Sequence, residues 1–166
     1  MSDTDSDDIG KFDPGTTQRL MAAMRPFLKT YFRSEVRGLD PFPPGGALVV
    51  GNHSGGMFPM DVPIFSVDFY DKFGYDRPVY TLSHDILFMG PTAPLFRRAG
   101  YIRANRENAA KALRTGGVVV VFPGGDYDAY RPTLSENVID FNGRKGYVST
   151  AIEAGVPIVP AASIGG

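Results

Sequence analysis

The chain has no cysteine. That excludes disulfides, thiolate metal sites and a cysteine nucleophile, and it fits a reducing compartment. Histidine is scarce: His53 and His84 are the only two, so imidazole chemistry has two candidate positions. The net charge is −1, too balanced for a general nucleic-acid binder. No apolar run reaches the roughly 18 residues that a membrane-spanning helix needs. The N-terminus is acidic, with Asp3, Asp5, Asp7 and Asp8, and lacks signal-peptide character. There is no GxSxG nucleophile elbow, no internal repeat and no long low-complexity tract. What remains is 166 residues, 43% hydrophobic and 21% charged, enough for one globular domain with a core.

Residues 1–15 read as a disordered, solvated acidic tail. Residues 16–38 follow as an amphipathic helical segment with Thr16 or Thr17 as its N-cap. Leu20, Met21, Met24, Phe27, Leu28 and Tyr31 share one face, and Arg19, Arg25, Lys29 and Arg33 the other. Pro26 is expected to kink this helix. Two readings stay open: an interfacial helix at an anionic membrane, or a surface helix covering the core. A Pro/Gly-rich connector over 39–46 leads into the main body. There, β-branched runs over 47–50, 78–82, 101–102, 118–122 and 156–159 read as strands. Helical segments over 59–73, 105–114 and 145–154 separate them, with a proline-broken stretch over 85–98. The alternation predicts an α/β domain over 47–166 with a mostly parallel central sheet flanked by helices. The chain stops just after a strand, so the domain is expected to be truncated at its C-terminus.

Loops at strand carboxyl ends are where such sheets bind ligands. The first carries Asn52, His53, Ser54, Gly55 and Gly56, with Asp61 in the first turn of the next helix. An imidazole there can take a proton from a hydroxyl. A carboxylate on its far nitrogen fixes the tautomer and stabilises the protonated ring. The plain alternative is a histidine that caps a helix or bonds a loop carbonyl. Ser54 directly follows His53 and is expected to point away from the ring, which disfavours a covalent serine mechanism. The second loop runs from Gly100 to Glu107. Its Arg103 and Arg106 flank a helix start, where anions bind, and the planar guanidinium suits phosphate; the alternative is a capping salt bridge from Arg106 to Glu107 or another acid. The third is Phe122-Pro123-Gly124-Gly125, where glycines admit a ligand close to the backbone, or which is simply a turn. His84 and Asp85 could join His53 and Asp61 around a metal, but Asp85 reads more simply as an N-cap, and no metal is expected.

In this order, and with Val156-Pro157-Ile158-Val159-Pro160 as a fourth block, the segments resemble the glycerolipid acyltransferase superfamily over about residues 47–161. The resemblance implies a glycerol-phosphate-acyltransferase-like fold, with His53 as general base and Asp61 as the carboxylate that orients it. Seven residues separate the two where the usual family motif has four, a form similar to the branch of monoacylglycerol and diacylglycerol acyltransferases. The resemblance also implies substrate contacts from Asn52, Gly55, Gly56, Arg103, Arg106, Phe122, Pro123, Gly124 and Gly125. Gly124 stands where the family usually carries Glu, which implies a neutral or bulkier alcohol as acceptor. The implied reaction is O-acyl transfer from an acyl-CoA or acyl carrier protein, as co-substrate and with no cofactor, to a lipid hydroxyl. The implied location is cytoplasmic, peripheral at the membrane surface. The rival readings are a non-catalytic lipid-binding module on the same fold and a metal-dependent hydrolase using His53, Asp61 and His84.

Overall fold

Short, mostly apolar runs make the strands of a single sheet in the computed structural model, which describes residues 8–53, 60–125, 127 and 138–164. The strands are β1 (Ala47–Gly51), β2 (Val79–Ser83), β3 (Tyr101–Arg103), β4 (Val118–Val121) and β5 (Ile158–Ala161). Their order is β3-β2-β4-β1-β5, and every neighbouring pair is parallel. Such strands are continuously apolar because helices cover both faces; all five residues of β1 are buried. The helices are α1 (Pro14–Thr30), α2 (Asp61–Phe73), α3 (Ala93–Arg98), α4 (Arg106–Arg114) and α5 (Gly146–Ala154).

Alternation along the strands divides the core in two. Val49, Val79, Val118 and Val120 pack against Met21 and Leu28 of α1 and Val67 and Phe69 of α2. Leu48, Val50, Val119 and Ile102 pack on the opposite face against Ala109 and Leu113 of α4 and Ala151 of α5. β1 and β4 are neighbours, yet the chain leaving β1 goes to α2 on one face while α5, the next described helix after β4, lies on the other. This divergence makes a topological switch point, with a crevice at the carboxyl ends of the two strands.

Near the N-terminus the structure departs from expectation. Within the tail expected over 1–15, Ile9–Lys11 form a 3-10 turn and α1 begins at Pro14. Asp8 is fully buried, with Arg97 Nε 2.9 Å from its carboxylate, and Ile9 enters the core. A buried carboxylate is tolerated because the guanidinium compensates it. The N-cap of α1 is Asp13, whose side chain accepts the Thr16 N–H, rather than Thr16 or Thr17. Thr17 instead bonds the Arg98 carbonyl, tying α1 to the end of α3. The helix continues past Pro26 to Thr30, and residues 31–46 form neither helix nor strand.

The apolar face of α1 splits. Leu20, Met21, Met24 and Leu28 join the core, whereas Phe27 and Tyr31 are 49% and 73% exposed. On its other side Arg25 and Lys29 pair with Asp71 and Asp68 of α2. Over most of its length, therefore, α1 covers the core.

Candidate active site

The first residues past β1 are Asn52 and His53, and Asp61 is the first residue of α2, at the helix end that suits a carboxylate. The structure brings His53 and Asp61 together across the intervening loop: His53 Nδ1 lies 3.5 Å from Asp61 Oδ2, with the side chains 16% and 7% exposed. A carboxylate only accepts, so facing Nδ1 it favours the imidazole tautomer protonated there. The Nε2 lone pair is then left to take a proton. The His53 ring stacks on Phe122, centroids 3.9 Å apart and planes at 19°. Phe122 follows β4, so this stack spans the crevice between β1 and β4.

Asn52, expected among the substrate contacts, has another job. Its Nδ2 donates to the Ser163 carbonyl and its Oδ1 accepts the Ser163 N–H, both at 2.9 Å. Both ends of the amide thus tie the exit of β1 to the exit of β5. Ser163 in turn donates from Oγ to Asp61 Oδ1 at 2.5 Å. Sequence reasoning missed this serine; the one signal was its place just past the fourth block, at a strand's carboxyl end.

The second loop separates its two arginines. Arg106 opens α4, and the cap is Asn105, accepting the Asn108 N–H at 2.7 Å, not a salt bridge from Arg106 to Glu107. Arg106 lines a cleft of about 290 Å³ together with Leu48, Leu82, Ala109, Val121, Phe122, Pro123, Tyr147 and Arg144. The cleft is therefore apolar inside, carries two guanidiniums, and shares Phe122 with His53. Arg103 is not among its lining residues: its Nε lies 3.4 Å from Asp85 Oδ1 and its guanidinium sits over the Phe88 ring.

The third loop is held by Arg144, a residue outside all four blocks. Its Nη1 donates to the carbonyls of Pro123 and Gly124 at 3.2 and 2.9 Å. Gly125 adopts φ +51°, in the left-handed region that favours glycine. Ser54, Gly55 and Gly56 lie outside the described residues.

The metal-site alternative is not assembled. His84, rather than Asp85, caps the short 3-10 turn Asp85–Phe88, its Nδ1 accepting the Ile86 N–H. Among the described residues no group of three His, Asp or Glu gathers as a metal would require, so His53, Asp61 and His84 do not converge. Among the same residues no helix is long and apolar enough to cross a membrane.

A family model described as Acyltransferase matches residues 33–164. An uncharacterized protein of Mycobacterium tuberculosis is 34% identical over 162 residues, covering 96% of this chain and 45% of the relative. One from Mycobacterium leprae is 33% identical over 165 residues, covering 96% and 44%. A Mus musculus protein named DGAT1/2-independent enzyme synthesizing storage lipids is 30% identical over 127 residues, covering 76% and 37%. The chain thus spans less than half the length of these relatives. No solved structure matches it.

Proposed function

The chain belongs to the acyltransferase family, and from this premise we propose that it moves a fatty acyl group from an acyl thioester to a lipid hydroxyl, with His53 as general base. The observation that carries this reading is the His53–Asp61 pair, 3.5 Å apart, at the switch point of the sheet. His53 Nε2 takes the proton of the acceptor hydroxyl as its oxygen attacks the thioester carbonyl. The tetrahedral intermediate collapses, the C–S bond breaks, and the proton on Nε2 passes to the departing sulfur. The products are an ester and a free thiol, and the base is restored. Asp61 stabilises the imidazolium between the two proton transfers.

The cleft beside Phe122 suits the donor. Its apolar wall fits an acyl chain, and Arg106 and Arg144 fit the phosphates of coenzyme A or of a carrier protein's prosthetic arm. The acceptor is a neutral alcohol, because Gly124 offers no carboxylate and its carbonyl is engaged by Arg144. The mouse relative's name, which speaks of storage lipids, supports a lipid acceptor. The enzyme works peripherally at the cytoplasmic face of a membrane, a reading supported by the exposed rings of Phe27, Tyr31 and Phe32 at the end of α1.

The test offers the full chain an acyl-CoA or an acyl carrier protein, with monoacylglycerol, diacylglycerol, a long-chain alcohol and lysophosphatidate as competing acceptors. The chain contains no cysteine, so a thiol reagent reads the released carrier thiol without background from the protein. Ester and thiol are expected in equal amounts with a neutral acceptor. Absence of ester with every acceptor would overturn acyl transfer; preference for lysophosphatidate would overturn the neutral acceptor alone.

A further inference from the structure

We propose that Ser163 is a positioning residue for the His53–Asp61 pair, acting through the second oxygen of the Asp61 carboxylate. This rests on the reading of His53 as the base. Asp61 presents Oδ2 to His53 and receives the Ser163 Oγ–H on Oδ1. A carboxylate turns easily about its last torsion, which is broad and roughly two-fold. A hydroxyl fixed on one oxygen sets the direction of the other.

Ser163 is itself fixed. Its N–H and C=O are both bonded by the side chain of Asn52, which is buried at 6% exposure and adjoins His53 in the chain. The parallel register pairs Gly51 with Ala161, so two residues beyond that pair His53 and Ser163 leave the sheet at the same level. Asn52, Ser163, Asp61 and His53 thereby close a circuit from the end of β1, through the end of β5 and the start of α2, back to the residue after Asn52. A backbone staple between β1 and β5 would need only the two Asn52 bonds. The third bond, from Oγ to Asp61, reaches across to the helix that carries the orienting carboxylate.

The experiment uses the full chain with ¹⁵N-labelled histidine in a His84→Gln background, so that the one remaining imidazole is His53. Its two nitrogen shifts report which nitrogen carries the proton. The starting protein is expected to hold the proton on Nδ1, and Asp61→Asn to shift it toward Nε2, as removal of an orienting carboxylate does. Ser163→Ala keeps both backbone bonds to Asn52 and so the fold, but shifts the tautomer in the same direction. Ser163→Thr, which keeps the hydroxyl, restores it, while Ser163→Cys, a weak donor of similar size, behaves as alanine. In acyl transfer Ser163→Ala lowers kcat by about 10–100-fold, the range seen when the outer hydrogen-bond partner of a metal-ligating side chain is lost, and leaves KM unchanged.

If Ser163→Ala keeps the starting spectrum while Asp61→Asn shifts it, Ser163 is only a staple and the proposal is overturned. If neither variant shifts it, the orienting role of Asp61 falls as well. If the spectra shift as described but the starting protein transfers no acyl group, the positioning role stands and the acyl-transfer reading falls.

Discussion

On the proposed mechanism, removing the imidazole of His53 takes away the proton acceptor. The ring stacks on Phe122 and faces Asp61 at the carboxyl edge of the sheet and is itself a member of neither core cluster, so His53→Ala should fold normally. Its turnover should fall by at least about 100-fold, the lower range for general acid–base catalysis. A rate above about a tenth of the starting value, measured on protein with an unchanged melting temperature, would remove His53 from the mechanism. Gly100 answers differently although it belongs to the same set of motifs. It adopts φ +89°, and a Cβ there would sit 2.2 Å from the Val79 carbonyl oxygen. Gly100→Ala should therefore cost at least about 2 kcal/mol in urea unfolding, more than the left-handed conformation alone. A glycine in a family motif is here a packing requirement between two strands. The nearness of His53 and Asp61 was legible in the sequence because the chain has only two histidines and Asp61 opens the segment that follows the first. The bonds between Asn52 and Ser163 were not, because 111 residues separate them and only the β1–β5 register brings them together.

The elements were easier to read than their ends. Short apolar, β-branched runs bounded by glycine and proline have few alternatives, so the five strands among the described residues were legible within about two residues. Caps depend on one side chain each: Asp13, not a threonine, begins α1, and His84, not Asp85, begins the turn after β2. Burial of Asp8 was invisible because its partner, Arg97, lies 89 residues away. Between elements, α2 reaches β2 through Tyr70, whose buried Oη accepts the Val79 N–H at 2.8 Å. Burial raises the Tyr70 hydroxyl above its ordinary value of 10.0 and pushes Tyr101 up to about 12. Below pH 10 both tyrosines are neutral in folded and unfolded chains, and their contribution is complete. Above it the unfolded chain ionises first, so stability is lost as pH rises, by roughly 1.4 kcal/mol per unit for each such group. Tyr70→Phe should lose about 1–3 kcal/mol at pH 8, because the Val79 N–H is left buried without its acceptor. It should then decline less steeply than the parent between pH 10 and Tyr101's value of about 12. Parallel urea midpoints across that range would mean that Tyr70 ionises as readily in the folded protein.

At the scale of the whole molecule, the proposed reaction needs a route for a lipid to the carboxyl edge of the sheet. α1 and α2 are antiparallel, since Arg25 pairs with Asp71 and Lys29 with Asp68. The end of α1 therefore points toward the edge where α2 begins with Asp61. At that end Phe27, Tyr31 and Phe32 contact one another with centroids 5.0–5.3 Å apart and remain exposed. Ile86 and Met89, following β2, and Ile164, following β5, are 70%, 83% and 91% exposed, and all three follow strand exits at the carboxyl edge. The basic side chains of α1 add less than its composition promised, because Arg25 and Lys29 are paired with α2. Binding to vesicles should accordingly depend on the rings more than on anionic lipid. Fully burying one Phe contributes about 1.5–3 kcal/mol; three rings inserted in part should together contribute at least about 1.4 kcal/mol, or tenfold in affinity. The combined variant Phe27→Ser, Tyr31→Ser and Phe32→Ser should weaken vesicle binding by at least about that factor. Ile152→Ser, on the exposed side of α5, should bind as the parent does. None of the three rings packs in the core, so the variant's melting temperature should be unchanged. Equal binding by the triple variant and the parent would show that the aromatic end of α1 does not meet the membrane. The acceptor would then have to reach His53 by another approach.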